Sequence, residues 1–205
     1  ANHIYPLTGV DVFGIATGAY AGRIVVGANQ AGRAYVYERV EPGHWPTEPS
    51  AVLYIPTDQG YVRTLGNFGV AVDISDLYVL VGANEDRKAY LFYPGTDGKW
   101  HPDSRVVFEP PLPTTDFGIA LSVCDDFAVI TSNLARKAFI YRRSGPRSGT
   151  HGWTNTLDAV IDAYDDRIFF GSSVSIAPSG TDIIIGADSN NTAYIFEQDA
   201  HGHWL

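Results

Sequence analysis

Bulky and small apolar residues alternate in the stretch Phe13-Gly14-Ile15-Ala16, with Phe13 and Ile15 set to one side and Gly14 and Ala16 to the other. A period of two predicts a strand with one large and one nearly bare face. The short apolar run Ile24-Val25-Val26 follows and ends in Gly27-Ala28, which predicts a strand buried on both faces. Alternation returns in Ala34-Tyr35-Val36-Tyr37, where the two tyrosines share a face opposite Ala34 and Val36. Turn signals such as Glu41-Pro42-Gly43 then lead to Trp45 and a fourth apolar stretch, Ala51 to Ile55. No stretch shows helical periodicity of useful length.

This pattern recurs. Its Phe-Gly opening is found again at Phe68-Gly69, Phe117-Gly118 and Phe170-Gly171, roughly fifty residues apart, a period that signals propellers or solenoids. Each copy repeats the second run (Val79-Leu80-Val81-Gly82-Ala83, Ala128 to Ser132, Ile183 to Ala187) and the third (Ala89 to Phe92, Ala138 to Tyr141, Ala193 to Phe196). Fourth stretches follow at Arg105 to Phe108 and Leu157 to Ile161, and a tryptophan marks every copy, at Trp45, Trp100, Trp153 and Trp204. The predicted fold is all-β: a single β-propeller domain over residues 1–205, built of four four-stranded blades starting near 13, 68, 117 and 170. Small residues beside each phenylalanine let one blade receive the bulky face of the next near a crowded axis. Asn29, Asn84, Asn133 and Asp188 open the connections between second and third strands, where their side chains are expected to cap nearby backbone N–H groups.

The fourth copy stops at Trp204-Leu205, where its last strand should start, while residues 1–12 supply an unassigned lead-in containing His3-Ile4-Tyr5-Pro6. That segment is expected to act as the closing strand of the final blade, in the same chain or in a neighbouring one. The second arrangement is strand addition between chains, and its head-to-tail repetition gives a fibre.

Charge and composition narrow the partners. Lys plus Arg number 14 against 23 for Asp plus Glu, a formal net charge of -9, which repels nucleic acid and anionic membranes. No apolar run approaches the roughly 20 residues of a membrane helix. With one cysteine, Cys124, no internal disulfide and no cysteine-based zinc site can form, and a buried core position is expected for it. The chain opens Ala1-Asn2-His3 and contains no methionine, a start that suggests a removed secretory signal or a fragment of a longer chain.

Phe-Gly at the head of each copy, Gly-Ala closing the second strand in three of four, the Ala-aromatic-aliphatic-aromatic third strand and the tryptophan before an apolar strand together resemble the FG-GAP repeat of integrin alpha-subunit propellers. The resemblance covers residues 4–205, with Thr131-Ser132 and Ser172-Ser173 as departures read as tolerated small residues. It implies an extracellular propeller used for adhesion, ligand binding or assembly. The family usually closes with seven blades, so four imply either a less common small ring or a larger one completed by other material. Family members often hold calcium in Asp-x-Asp-x-Asp-Gly loops, and that motif is absent here. Asp73/Asp76, Asp125-Asp126, Asp165-Asp166 and Asn84-Glu85-Asp86 lack the alternating oxygen ligands of such a cage, so no cofactor is expected.

Candidate chemistry is sparse. His44, His101, His151, His201 and His203 lie near the tryptophans of different copies, which makes them turn histidines rather than one metal site. There is no Gly-x-Ser-x-Gly elbow, the adjacent pair Asp165-Asp166 would point apart on a strand, and Thr96-Asp97-Gly98-Lys99-Trp100 only loosely resembles a structural Asp-box. The expected function is therefore non-enzymatic: a secreted structural or adhesive propeller working through protein contacts, including copies of itself, with His3, Ile4, Tyr5, Pro6, Trp204 and Leu205 as assembly strand. The alternative is a lectin-like propeller that stacks sugars on Trp45, Trp100, Trp153 and Trp204. Asn190 heads the sequon Asn190-Asn191-Thr192 and is the candidate glycosylation site.

Overall fold

In the structure of the protein, a computed structural model, residue 4 and residues 12–56, 66–146, 151–163 and 169–205 are described. The apolar runs form antiparallel sheets in chain order. The first blade is β1 (Phe13–Tyr20), β2 (Arg23–Ala28), β3 (Arg33–Glu38) and β4 (Ala51–Leu53). The second is β5 (Val72–Ile74), β6 (Val79–Ala83), β7 (Lys88–Pro94) and β8 (Trp100–Phe108). The third is β9 (Leu121–Val123), β10 (Phe127–Ser132), β11 (Lys137–Arg142) and β12 (Leu157–Asp162). In the fourth, β13 (Phe170–Ile176), β14 (Asp182–Ala187) and β15 (Thr192–Glu197) make a three-stranded sheet among the described residues. The architecture is a β-propeller of four blades, with β1, β5, β9 and β13 innermost.

The Phe-Gly openings are not regular strand. Gly14, Gly69, Gly118 and Gly171 all have φ between +89° and +95°, a left-handed region open to glycine and strained for other residues. In the second and third blades the chain turns there before the inner strand begins, while in the first and fourth the glycine lies within the strand at a register shift, between Phe13 and Thr17 and between Phe170 and Ser173. At Gly69, Gly118 and Gly171 glycine is thus required by its backbone angle as well as by the closeness of the preceding blade, and at Gly14 by the angle. The turn drops Phe68, Phe117 and Phe170 into the core, where each meets aromatic residues of its own third strand edge-on, as Phe68 does Tyr90 and Phe92.

The third strands alternate as their sequence predicts. Ala34 and Val36 join one buried cluster with the second blade, while Tyr35 and Tyr37 join another with Val26 and Ala28. The connection between second and third strands differs from expectation. It is closed by backbone hydrogen bonds, Gly32 N–H to Asn29, Arg87 N–H to Asn84, Arg136 N–H to Asn133 and Asn191 N–H to Asp188, and in the third blade it is Asp116 and Ser132 that accept the Leu134 and Ala135 amides. Asn29 and Asn84 turn sideways instead, bonding Asn67 on the approach to the second Phe-Gly at 2.5 and 2.8 Å.

At the fourth blade Trp204 and Leu205 fold back on β15, with Leu205 and Glu197 exchanging backbone hydrogen bonds. Ile4 lies against the first blade, packed on the cluster of Val26, Ala28, Ala31, Tyr35 and Tyr37, so it is not placed in the fourth sheet. His3, Tyr5 and Pro6 fall outside the described residues.

Candidate functional site

Every blade presents one face to the next blade in the chain, here called its forward face, and the opposite, rear face to the blade before. On the forward face of the first blade Val25, Ala34 and Val36 pack against Val79, Val81, Tyr90 and Phe92 of the second. Leu80, Ala89 and Leu91 meet Ala128, Ile130, Phe139 and Tyr141 in the same way, and Val129, Ala138 and Ile140 meet Ile183, Ile185, Ala187 and Phe196. Fully burying one such aliphatic side chain is worth about 1.5–3 kcal/mol, so these seams hold the blades together.

Three contacts recur across the seams. First, the Phe-Gly glycine carbonyl is received by a small residue of the preceding blade: a Cβ added at Gly27 would collide with the Gly69 oxygen, and one at Gly82 with the Gly118 oxygen. At the third seam the departure Thr131 becomes a bond, its hydroxyl donating to the Gly171 carbonyl at 2.7 Å. Second, a polar residue of one inner strand accepts an amide of the next: Asp73 accepts Val123 N–H at 2.8 Å, and Ser122 accepts Ile176 N–H at 3.2 Å. Third, the tryptophans of the second, third and fourth blades each cover the blade before their own. The Trp100 indole N–H reaches the Glu38 carboxylate at 3.3 Å, Trp153 stands edge-on to Tyr78, and Trp204 edge-on to Phe127.

These contacts stop at the fourth blade. Its forward face carries Ile184 and Ile195, which stand 45% and 67% exposed, whereas their counterparts Val129 and Ile140 in the third blade are fully buried. A Cβ at Gly186 would meet Ser172 and Ser173 of its own blade, and Ser175, the counterpart of Ser122, is exposed. The rear face of the first blade is open in the matching places. Phe13 and Ile24 are half-buried where Phe170 and Ile183 are buried, and among the described residues no atom approaches a Cβ at Gly14 within 4 Å.

The inner strands also border a half-open cavity of about 470 Å³, lined from all four blades by residues that include Thr17, Asp73, Ser122 and Ser175. Burial pushes the Asp73 carboxyl above its usual range, while hydrogen bonds from Val123 N–H, the Ser122 hydroxyl and Ile74 N–H pull the other way. Its Oδ2 thereby joins the second blade to the third, while Oδ1 is held by its own strand. At the cavity's edge Asp76 pairs with Arg23 at 2.8 Å, and burial holds the Cys124 thiol above its ordinary value. A thiol kept protonated is a poor nucleophile.

The remaining sequence candidates are scattered. Trp100 and Trp153 are buried in seams and offer no free indole face, so the repeated sugar-stacking arrangement is not built at those two positions. Trp45 and Trp204 are half-buried. His101 and His203 each pair with the aspartate that closes its own hairpin, Asp97 at 3.0 Å and Asp199 at 3.3 Å. His151 instead stacks on Tyr93 with ring centroids 4.5 Å apart, a contact between blades that its place near a tryptophan did not reveal. Among the described residues no group of three or more His, Cys, Asp and Glu side chains is placed to hold a metal ion. Asn190 ends the short turn Asp188–Asn190 before β15, between the exposed residues Ser189 and Asn191.

No protein-family model matches the chain, and no curated protein matches it. Solved structures do. The computationally designed Ika4 protein is similar over 96% of this chain and 98% of its own, with a TM-score of 0.59 and 14% identity. A streptogramin B lyase is similar over 97% of this chain and 55% of its own, at a TM-score of 0.63 and 11% identity. A putative 6-phosphogluconolactonase from Bacteroides uniformis is similar over 93% of this chain and 55% of its own, at a TM-score of 0.65 and 9% identity. This likeness is one of fold, and the chain spans about half the length of the latter two.

Proposed function

We propose that this chain is a non-enzymatic propeller of the FG-GAP type, a structural or adhesive building block of an extracellular assembly that works through protein–protein contacts. The observation that carries this reading is the forward face of the fourth blade, where Ile184 and Ile195 lie exposed on a surface that the rest of the molecule buries three times over. Exposed apolar faces of this kind mark contact sites. The FG-GAP assignment draws support from the left-handed Phe-Gly turn in all four blades. Some similar solved structures are named as enzymes, at identities that convey fold alone. The cavity speaks for binding or structure rather than turnover, because the Asp73 oxygens already accept three hydrogen bonds and the Cys124 thiol is held protonated.

Sedimentation velocity over a concentration series tests the reading, on the full chain and on a form lacking Ala1 to Pro6. Association that grows with concentration is expected in both if blade faces carry it. Loss on truncation would shift the contact to the N-terminal strand, and a single-chain species throughout would overturn self-assembly.

A further inference from the structure

The geometry points to a specific partner for the open face: the rear face of the first blade of a second copy, in a head-to-tail seam that two copies make twice to close one ring of twice four blades. This inference rests on the contact function proposed above and names its partner and register. Residues that hold the place of each half of the recurring seam contacts stand at the two ends of the molecule. On the fourth blade stand the small residue Gly186, the inner-strand hydroxyl of Ser175, the aliphatic pair Ile184 and Ile195, and the exposed carboxylate Glu197. On the first blade stand the Phe13-Gly14 turn, the exposed Ala19, and the half-buried Ile24 and Trp45.

Strand pairing fixes which residue meets which. Glu197 pairs with Asp182 in β14 and β15 as Glu38 pairs with Arg23 in β2 and β3, so Glu197 occupies the position from which Glu38 accepts the Trp100 indole. Trp45 holds the place of Trp100 in its own blade, and its indole N–H is thereby set to donate to Glu197 of the second copy. Ser175 pairs with Ile184 as Ser122 pairs with Val129, so its hydroxyl is set to accept Ala19 N–H as Ser122 accepts that of Ile176. Gly186 pairs with Ala193 as Gly82 pairs with Ala89, and once the Ser173 hydroxyl beside it turns aside it receives the Gly14 carbonyl as Gly82 receives that of Gly118. Ile184 and Ile195 close over Ile24, Trp45 and Ile4, which lies on this side of the first blade; Tyr35 and Tyr37 behind them are already buried.

The contact is heterologous, so its repetition must close or run on as a filament. Curvature favours closure at two copies. The four blades follow about half of solved chains of the same fold, and the first and fourth blades share no buried cluster among the described residues. A second copy therefore meets both open ends at once.

The test is the mass of the full chain by light scattering, together with two complementary variants, Ile195→Asp and Trp45→Ala. Ile195 is exposed in the single chain, so its replacement leaves the fold intact, which circular dichroism verifies for both variants. The wild-type chain is expected to reach a mass of two copies and stop. Each variant alone breaks both seams and weakens association by at least about tenfold. Mixed together they recover a two-copy species, because one seam is then wild-type on both sides. A mass that grows without limit, a pair that withstands both substitutions, or a mixture that stays apart would overturn the ring while leaving association itself intact. A wild-type chain that never associates would overturn both the ring and self-assembly.

Discussion

The forward faces of the third and fourth blades are made of nearly the same residues and have opposite fates. Val129, Ala138 and Ile140 in one match Ile184, Ala193 and Ile195 in the other, at the same register of the same paired strands. The third face disappears under the fourth blade, while the fourth is left in water. Composition and strand order therefore do not decide whether such a face is core or surface; the presence of a following Phe-Gly turn does. An interface built like an interior is a surface that the molecule has not yet used.

That contrast can be broken most forcefully at its aliphatic centre. Ile140→Ala should destabilise the chain by about 2–5 kcal/mol, because the third seam cannot refill the lost volume. Ile195→Ala should leave the unassociated chain within about 0.5 kcal/mol of wild type. Urea unfolding at a concentration too low for association measures both, and equal losses would refute the distinction between closed and open faces.

The glycine turns come next. Gly118→Ala places a Cβ against the Lys88 carbonyl and forces alanine to φ +95°, so a loss of about 2–3 kcal/mol is expected. Gly14→Ala shares the strained angle and has no neighbour to strike among the described residues, which leaves about 1 kcal/mol. If thermal melts place the two variants together, the carbonyl contact contributes nothing to the seam.

A smaller difference is expected in the inner-strand hydroxyls. Ser122→Ala strips a bond from Asp73 and orphans the Ile176 amide, at about 1–3 kcal/mol. Ser175→Ala should fall within about 0.5 kcal/mol until the chain associates. A cost for Ser175→Ala that is independent of protein concentration would show that this hydroxyl already serves its own blade.

The smallest effect is in pH dependence, where a closed-seam carboxylate and hairpin carboxylates have opposite signs. Burial raises the Asp73 carboxyl, so the folded chain keeps that proton to higher pH than the unfolded chain does. Its contribution is greatest below the unfolded value of about 3.9 and declines as pH rises through the folded value. Asp97 and Asp199 are held low, chiefly by the backbone N–H groups of Lys99 and His203. Their contribution is present above the unfolded value and is lost as pH falls through the folded one. Urea midpoints across the acid range should rise more steeply with pH in Asp73→Asn than in wild type, because the opposing contribution is gone, and an unaltered profile would remove Asp73 from the account.

The sequence by itself determined the blades. A period-two alternation, repeated in four copies and punctuated by Phe-Gly and tryptophan, leaves few alternatives to small antiparallel sheets around an axis, because those side chains must be buried on both faces of each sheet. It also placed Tyr35 and Tyr37 opposite Ala34 and Val36, since strand geometry is local. What lies between blades was decided only in three dimensions. The seating of the Gly69 carbonyl at Gly27, the sideways reach of Asn29 to Asn67, the hydroxyl that Thr131 gives to Gly171 and the stacking of His151 on Tyr93 all join residues distant in sequence. The tryptophans, equally spaced along the chain, became unequal for the same reason: Trp100 and Trp153 are sealed in seams, and Trp45 waits at an open one. A repeat specifies the face that each blade offers, and only the packed structure decides which of those faces finds a neighbour.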